Sequence, residues 1–484
     1  MISPQKRHQF AAIGIALGVF FFYLLTLSDG TMWGDDWAMY VNHALNIASG
    51  RPYAYPGYIF NPMYPTYAPS AYPAGYPLML APAAAIWGLN LTAFKVVNLL
   101  CLSVGLYLIW YWLRDRVSPA SALLIPLVIG ISPYFWFMRD HILSDVPHMT
   151  CTVLFFVLYD RWKERADWKM AVWLGITLFY VYALRSIGLV LMGAFALHVL
   201  IGPAQLRKTG ALALGISVLL WGLHNALVPS DSYYQMIAGQ KFRVVDRLYD
   251  GLRPYAQEFG ALLRIWEKND LMAFSKILAA LLPVFMFSGL VSVRRWTMLE
   301  TFCATYLLAI TFFPGFQGFR YLVGVFPFFL YYVASFVENL PVKQLRYALY
   351  TLLLVTFFGA TFQWYAQNRN EPMMGNIKEG NAQNFFAYVR DSIPPDAVLI
   401  SDRPRILALY TNHKGTVYPD ANHEQEWLQW LDKNNVTYAT KAAWDNDKSD
   451  RYWARYMDAN PLRFQKIFDD RGLQVYRYTR TPIE

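Results

Sequence analysis

Apolar residues recur along the first three-quarters of the chain in runs separated by short polar segments. A helix that crosses a bilayer needs about 20 such residues, so the pattern predicts about eleven membrane-spanning helices. The predicted spans are 9–27, 89–112, 119–138, 142–160, 168–184, 187–202, 209–228, 271–292, 297–314, 318–337 and 347–366. The apolar run behind the basic N-terminus is long and lacks a small-residue cleavage site, which favours a retained first span over a cleaved signal peptide.

Lys and Arg in the short connections fix the predicted orientation. If the N-terminus is cytoplasmic, the basic residues fall on the inner side at nearly every loop, as the positive-inside rule requires. The short outer loops then hold only Arg139, Arg185 and Arg320. The pattern therefore predicts a multi-pass protein of the plasma (inner) membrane, whose loops 28–88 and 229–270 and tail 367–484 are extracytoplasmic.

The two long outer loops differ in composition. Residues 51–77 contain seven Tyr and seven Pro in 27 residues, and Pro at this density excludes a long helix. The segment is either an irregular loop anchored at the membrane interface by its tyrosines or a substrate-shaping loop lying on the membrane. In 229–270, the spacing of Leu262, Leu263, Ile265 and Trp266 predicts interfacial helices.

The tail has the composition of a soluble domain. Helical periodicity covers 381–393 and 424–435, and strand-like alternation covers 396–402, 436–440 and 473–479. The predicted fold is thus mainly α: a polytopic membrane module over 1–366 followed by a small α/β domain over 367–484.

Composition supports a membrane protein and argues against other classes. Hydrophobic residues make up 56% of the 484 residues and charged residues only 15%, against about 25% charged in soluble domains. The net charge of +9 is spread over short loops and forms no patch, so no nucleic-acid partner is expected. Cys101, Cys151 and Cys303 lie inside apolar runs and indicate no disulfide framework.

Ionisable residues gather at the predicted outer ends of the spans. Charge near hydrocarbon depth is costly, so these residues either pair with one another as structural links or form a site with both signs of charge. Arginines suit a phosphate, by charge and by the forked geometry of their donors, and a carboxylate suits a general base. The set comprises Asp35, Asp36, Arg139, Asp140, His141, Asp145, Arg185 and Arg320.

This combination points to group transfer from a lipid phosphate. A phosphate held at that depth is most simply the head group of a polyprenyl lipid, and no nucleotide sugar is available outside the membrane. The expected reaction moves a sugar from a polyprenyl-phosphate donor to a hydroxyl group, with Arg320, Arg185 and Arg139 binding the donor phosphate and Asp36, Asp35 and Asp145 as the catalytic carboxylates.

Several motifs resemble the C-type glycosyltransferase family, in particular the bacterial branch related to protein O-mannosyltransferases and lipid A aminoarabinose transferases. In that family an acidic pair follows the first span and a Tyr-Pro-rich segment follows in the loop. The matching residues are Asp35-Asp36, Tyr72 to Pro77, Ser144-Asp145, Arg185 to Gly188, and Arg320-Tyr321 with Pro327.

The resemblance implies a cell-envelope glycosyltransferase, related to mannosyltransferases, that transfers a hexose or pentose with inversion. It places the base in the acidic pair. The family more often has Asp-Glu with Tyr or His two residues later, whereas here Tyr40 stands one step further on. Counted back from Tyr40, Asp36 occupies the position of the base in the family. Asp35 is the alternative base. Tyr40, Tyr72, Tyr76, Asp140 and His141 are expected to shape the substrate site.

The sequence pattern is also compatible with other functions and ligands. A transporter or flippase of a lipid-linked sugar is an alternative, although such proteins place charges near the midplane and often show inverted repeats, and no repeat is visible. A structural scaffold is a further alternative. The acceptor is a glycan, lipid or protein. No cofactor is required, but a divalent cation shared by Asp36 and Asp145 is possible.

Overall fold

The computed structural model describes residues 3–55, 57–64, 67–228, 244–264, 270–292, 296–313, 315–368, 373, 375–419, 424–441 and 448–480. Contacts divide the chain into two compact units. The helical unit comprises Met1–Leu27, Lys95–Ala226 and Lys241–Glu371. The α/β unit comprises Ser28–Phe94, Leu227–Gln240 and Pro372–Glu484.

Helices are numbered along the whole chain. The apolar helices that correspond to predicted spans are α1 (Pro4–Leu24), α4 (Leu91–Leu113), α5 (Pro119–Ile131), α6 (Pro133–Met138), α7 (Asp145–Arg165), α8 (Trp168–Leu184), α9 (Leu189–Ile201), α10 (Ala204–Leu227), α12 (Asp270–Ser292), α13 (Met298–Phe312), α14 (Phe326–Glu338) and α15 (Lys343–Asn368). An additional helix, α11, covers Val244–Gly260, and short 3-10 turns cover Ser186–Gly188, Ala261–Leu263 and Gly318–Tyr321.

These helices confirm the predicted polytopic membrane fold. Five of them are long and apolar enough to cross a membrane: Pro4–Leu24, Leu91–Leu113, Ala204–Leu227, Phe274–Ser292 and Lys343–Asn368. Shorter apolar helices accompany them. The predicted span 119–138 is broken into α5 and α6, because Ser132 is extended and Pro133 supplies no N–H to continue the helix.

Close backbone approach holds the first helices of this unit together. A Cβ atom on Gly130 of α5 would lie 2.7 Å from Val19 and 3.0 Å from Leu106. The buried Tyr23 hydroxyl donates to the Gly130 carbonyl at 2.6 Å. Small residues let membrane helices approach in this way, so Gly130 is a packing position where a larger side chain would force the helices apart.

Much of the described part of loop 229–270 is helical. Helix α11 and the 3-10 turn Ala261–Leu263 cover its second half, and Leu262 and Leu263 are buried. Ile265 and Trp266 lie outside the described residues.

The α/β unit contains a six-stranded sheet. Its strands are β1 (Tyr58–Ile59), β2 (Val398–Ser401), β3 (Lys414–Val417), β4 (Val436–Lys441), β5 (Phe464–Asp470) and β6 (Leu473–Tyr478), in the order β1-β3-β2-β4-β6-β5. Strands β1, β3, β2 and β4 are parallel, and β6 and β5 continue the sheet antiparallel. The helices of this unit are α2 (Asp35–Ala48), α3 (Gly75–Trp87), α16 (Gly380–Ser392), α17 (Pro404–Thr411), α18 (Glu424–Lys433) and α19 (Lys448–Ala459).

The segment before the second span contributes directly to this sheet. Tyr58 pairs with Gly415 and Ile59 with Thr416, so the Tyr-Pro-rich stretch supplies the edge strand β1. The helices flank this stretch: α2 ends at Ala48 and α3 begins at Gly75. Contacts therefore join Ser28–Phe94 to the tail, whereas the sequence pattern divides the chain after residue 366.

Large aromatic side chains fill the core of the sheet's C-terminal half. Trp427 and Trp453 are completely buried, with ring centroids 4.0 Å apart. The Tyr418 hydroxyl donates to the Thr440 carbonyl at 2.9 Å. Helix α17 starts three residues after β2 ends, with Pro404 at its first turn, where Pro is favoured. The sheet thereby fixes the N-terminus of α17, which carries Arg405.

Candidate functional site

The acidic pair opens helix α2 in the α/β unit. Asp35 and Asp36 are its first two residues, and Gly34 before them offers no capping side chain. Carboxylates are favourable at a helix N-terminus, because the unpaired N–H groups and the helix dipole attract negative charge. This local preference explains how two adjacent carboxylates are tolerated, but their tertiary contacts separate their roles.

Asp35 is buried and fully engaged. Its side chain is 5% exposed and forms a 2.6 Å ion pair with the Arg405 Nε atom. The Tyr67 hydroxyl donates to it at 2.8 Å. The backbone N–H groups of Arg405 and Ile406 donate at 3.1 and 2.9 Å, so Asp35 also caps helix α17. A carboxylate held by this many donors is well suited to fix structure.

Asp36 is more open. Its side chain is 31% exposed, and its Oδ1 atom accepts hydrogen bonds from the Tyr72 hydroxyl at 2.8 Å and from Arg405 Nη2 at 3.1 Å. The two aspartates thus share one guanidinium while differing in access to solvent. The Asp35 carboxylate is therefore buried, whereas part of the Asp36 side chain is open to solvent.

Arg405 is the residue of this cluster that the sequence interpretation missed. It is buried, and its Nη1 atom also donates to the Tyr72 hydroxyl at 2.8 Å. Burial opposes its charged form, but Tyr72 and the carboxylates of Asp35 and Asp36 outweigh burial and raise its pKa well above the usual value. The guanidinium is therefore a permanent cation. Only its position after Pro404 in a helix-starting segment marks it in the sequence.

A set of stacked aromatic rings supports the acidic pair. Tyr40 stacks on Tyr72 with centroids 4.5 Å apart and meets Tyr76 edge-on at 5.0 Å. All three rings are buried. His43, one turn after Tyr40, stacks on Tyr53, and burial lowers its pKa to about 4. Tyr40, Tyr72 and Tyr76 were predicted to shape the substrate site. In the structure they pack together, and the Tyr72 hydroxyl donates to the carboxylate of Asp36.

Asp145 forms a second cluster, inside the helical unit. It is the first residue of α7 and its side chain is 1% exposed. Arg185, at the extended end of α8, approaches its Oδ1 atom at 2.7 Å, and Arg320 approaches its Oδ2 atom at 3.5 Å. The arginine side chains are 16% and 26% exposed. One buried carboxylate therefore holds two guanidinium groups that keep partial access to solvent.

Arg139 and Asp140 belong to a third cluster. Asp140 pairs with Arg139 at 3.1 Å and with Lys95 at 3.0 Å, and all three side chains are buried. Arg139 also donates to the carbonyls of Thr26 and Trp136 and lies over the Trp136 ring. His141, beside them, is bonded through Nδ1 to the Phe137 carbonyl. The sequence interpretation missed Lys95, although a lysine within a predicted span requires such a partner.

The predicted site residues thus fall into three contact groups. Asp36 joins Asp35, Asp145 joins Arg185 and Arg320, and Arg139 joins Asp140. Among the described residues, no three His, Cys, Asp or Glu side chains gather in a way that could hold a metal ion. Asp36 and Asp145 each have an arginine partner.

No protein-family model matches the chain, and no curated protein matches it by sequence. Solved structures match it across nearly its whole length. ArnT from Cupriavidus metallidurans bound to undecaprenyl phosphate superimposes with a TM-score of 0.60 and 12% identity, covering 96% of this chain and 97% of that chain. The same protein in the apo state gives 0.59 and 11%, covering 98% of each.

The oligosaccharyltransferase of Archaeoglobus fulgidus, tethered with an acceptor peptide containing the NVT sequon, is also similar. It gives a TM-score of 0.56 and 13% identity, covering 99% of this chain and 74% of that chain. At such low identity the likeness concerns the fold. It confirms the resemblance seen in the sequence motifs: the chain has the polytopic C-type glycosyltransferase fold.

Proposed function

We propose that the chain is an integral membrane glycosyltransferase that moves a sugar from a polyprenyl-phosphate donor to a hydroxyl acceptor. Two findings support this reaction class. The fold is that of membrane glycosyltransferases, and one similar structure holds undecaprenyl phosphate. A fold alone does not establish a reaction, so the proposal depends on the residues of the two clusters.

The observation that carries the proposal is the unequal exposure of the acidic pair, 5% for the Asp35 side chain and 31% for that of Asp36. Asp35 is saturated by Arg405, Tyr67 and the N-terminus of α17, whereas Asp36 keeps a partly exposed carboxylate. A general base must be ionised and reachable by the proton that it takes. We assign this role to Asp36 and an anchoring role to Asp35.

The proposed step is an inverting displacement. The acceptor hydroxyl gives its proton to the Asp36 carboxylate while its oxygen forms a bond to the anomeric carbon of the sugar. The bond from that carbon to the phosphate oxygen breaks, and the electron pair leaves with the polyprenyl phosphate. The protonated Asp36 then returns its proton to water. No oxidant, reductant or further reactant is needed.

We assign donor-phosphate binding to Arg185 and Arg320. Together with Asp145 they carry a net charge of +1, and both guanidinium groups keep some solvent access. Asp145 would hold the two cations in place beside a bound phosphate, whose charge and geometry suit guanidinium groups. Arg139 is assigned a structural role instead, because its donors are used by Asp140 and by the carbonyls of Thr26 and Trp136.

The extracytoplasmic placement of the reaction rests on the Lys and Arg bias of the loops. A reporter fused after residue 484 tests it. We expect activity from a reporter that functions only outside the cytoplasm and none from a cytoplasmic reporter. Strong cytoplasmic activity would reverse the proposed sidedness.

Transfer by purified variants tests the base assignment. Asp36→Asn preserves size and hydrogen bonding but removes the proton acceptor, so we expect transfer from a polyprenyl-phosphate sugar to fall at least about a hundredfold, as for loss of a general base. Glu379→Gln, an exposed site in the same unit, is the matched control and should retain wild-type transfer. Near-normal transfer by Asp36→Asn would refute the assignment.

A further inference from the structure

We infer that Arg405 is a positioning residue for Asp36, so that the tail of the chain takes part in the transfer step. The inference rests on the proposed function, because it takes Asp36 as the base. It assigns the tail a contribution to catalysis through one side chain that lies about 370 residues from the acidic pair.

The contacts of Arg405 form a closed arrangement around Asp36. Its Nη2 atom and the Tyr72 hydroxyl both donate to the same oxygen, Oδ1 of Asp36, at 3.1 and 2.8 Å. Arg405 Nη1 also donates to that hydroxyl at 2.8 Å. Two donors that are bonded to each other therefore hold one oxygen of the carboxylate. Such an arrangement restrains the rotation of Asp36, and a catalytic group has to be held in a productive geometry.

Arg405 is itself fixed at both ends. Its Nε atom binds Asp35 at 2.6 Å, and its backbone N–H binds the same carboxylate. Helix α17 in turn follows strand β2 of the sheet. The sheet therefore positions α17, and Arg405 on α17 positions Asp36. Asp35 strengthens this connection because it binds both the side chain and the backbone of Arg405. The planar fork of an arginine can span Asp35, Asp36 and Tyr72 together, which a lysine ammonium cannot do in one geometry.

Charge gives Arg405 a second effect on Asp36. Among the described residues, the ionisable groups that face Asp36 include Asp35 on its own helix, Arg405 on α17 and Tyr72 from the connecting segment. Tyr67 binds Asp35, and Tyr76 of α3 contacts this group through Tyr40. Arg405 is a cation that pairs with both carboxylates. Its removal should make Asp36 harder to ionise, since a nearby opposite charge favours the charged form.

The experiment measures kcat, the donor KM and the pH dependence of transfer for the full-length protein and its Arg405→Lys and Arg405→Gln variants. Arg390→Gln is the control, because Arg390 is an exposed arginine of the same unit whose ion pair is with Asp391. For Arg405→Lys we expect kcat to fall about tenfold, with an unchanged donor KM and an acid limb near that of wild type, since the charge stays and the fork is lost. For Arg405→Gln we expect a larger fall and an acid limb moved about one pH unit higher.

Two outcomes would overturn the inference. One is wild-type kcat in Arg405→Lys, and the other is a folded Arg405→Gln variant with an unmoved acid limb. If Arg405→Gln fails to fold, the kcat of Arg405→Lys decides, because lysine still neutralises Asp35. Asp36→Asn, assayed in parallel, separates the two claims. If it is inactive while Arg405→Lys is normal, the base assignment stands and the positioning role is wrong; if it is active, the proposed function itself fails.

Discussion

The two main charged clusters of this protein are near mirror images in charge. In the α/β unit, Arg405 is shared by two carboxylates, Asp35 and Asp36. In the helical unit, Asp145 is shared by two arginines, Arg185 and Arg320. With every group ionised, the first cluster carries a net charge of −1 and the second a net charge of +1.

The difference indicates which chemistry each cluster suits. An excess carboxylate can accept a proton, and excess guanidinium groups can bind an anion such as a phosphate. In each cluster the minority charge is the more buried member: Arg405 is 2% exposed and Asp145 is 1% exposed. The buried residue therefore holds two groups of opposite sign in place, and we propose that the more exposed groups meet the substrate.

The largest expected effect is a difference in stability between variants of Asp35 and Asp36, the two aspartates of the first cluster. Asp35→Asn breaks a buried ion pair and weakens the cap of α17, so we expect the protein to lose about 3–5 kcal/mol of stability. Asp36→Asn, at the more exposed position, should lose much less. Thermal unfolding followed by tryptophan fluorescence measures both, with Asp391→Asn as an exposed control that should not change the midpoint. Equal midpoints for the two variants would contradict the division into anchor and base.

A smaller effect is expected in the second cluster. Arg320→Ala should weaken binding of a polyprenyl-phosphate donor about tenfold, since a hydrogen bond to a charged group contributes about 1.5–3 kcal/mol. Arg320→Lys should weaken it less, because the charge remains while the fork is lost. Binding of a labelled donor to purified protein measures this, with the exposed Arg207→Ala as the control. Wild-type binding by both Arg320 variants would favour a purely structural pairing with Asp145.

The smallest effect concerns pH and the support of the first cluster. His43 is buried with a pKa of about 4, against about 6.5 when unfolded. Between these values the unfolded chain binds more protons, so the contribution of neutral His43 to stability is complete above pH 6.5 and is lost as pH falls towards 4. Lowering the pH from 7 to 5.5 should cost about 1 kcal/mol.

Replacing His43 tests this contribution. His43→Asn should flatten the pH dependence of the unfolding midpoint in this window, whereas His8→Asn on α1 should leave it unchanged. If both variants keep the wild-type dependence, other groups are responsible for it.

Much of the fold was accessible from the sequence, because apolar runs of bilayer length and the compositional change near residue 367 are local signals. The predicted helices over 381–393 and 424–435 and the strand over 436–440 match α16, α18 and β4. Strand β1 was not predictable in the same way. Its two residues stand in a Tyr-Pro-rich stretch and pair with residues 415 and 416, and no local pattern encodes such a distant partner.

The site residues, too, could be predicted only where the local sequence marks them. Asp36, Asp145, Arg185 and Arg320 were found because charge at the end of an apolar run is conspicuous. Arg405 was missed because the tail is rich in exposed charge, so nothing in its neighbourhood distinguishes a buried arginine from a solvated one. Lys95 could have been found, since it interrupts an apolar run. The pairing of Asp35 and Asp36 with Arg405 is visible only once the chain is folded.

The central claim is that Asp36 takes the proton of the acceptor while Arg185 and Arg320 bind the donor. The most direct test measures, on the same samples of Asp36→Asn, both the fraction of protein that has bound a labelled polyprenyl-phosphate sugar and the rate of transfer. The account predicts donor occupancy equal to wild type with transfer reduced at least about a hundredfold. Loss of occupancy in proportion to transfer, or transfer at the wild-type rate, would contradict it.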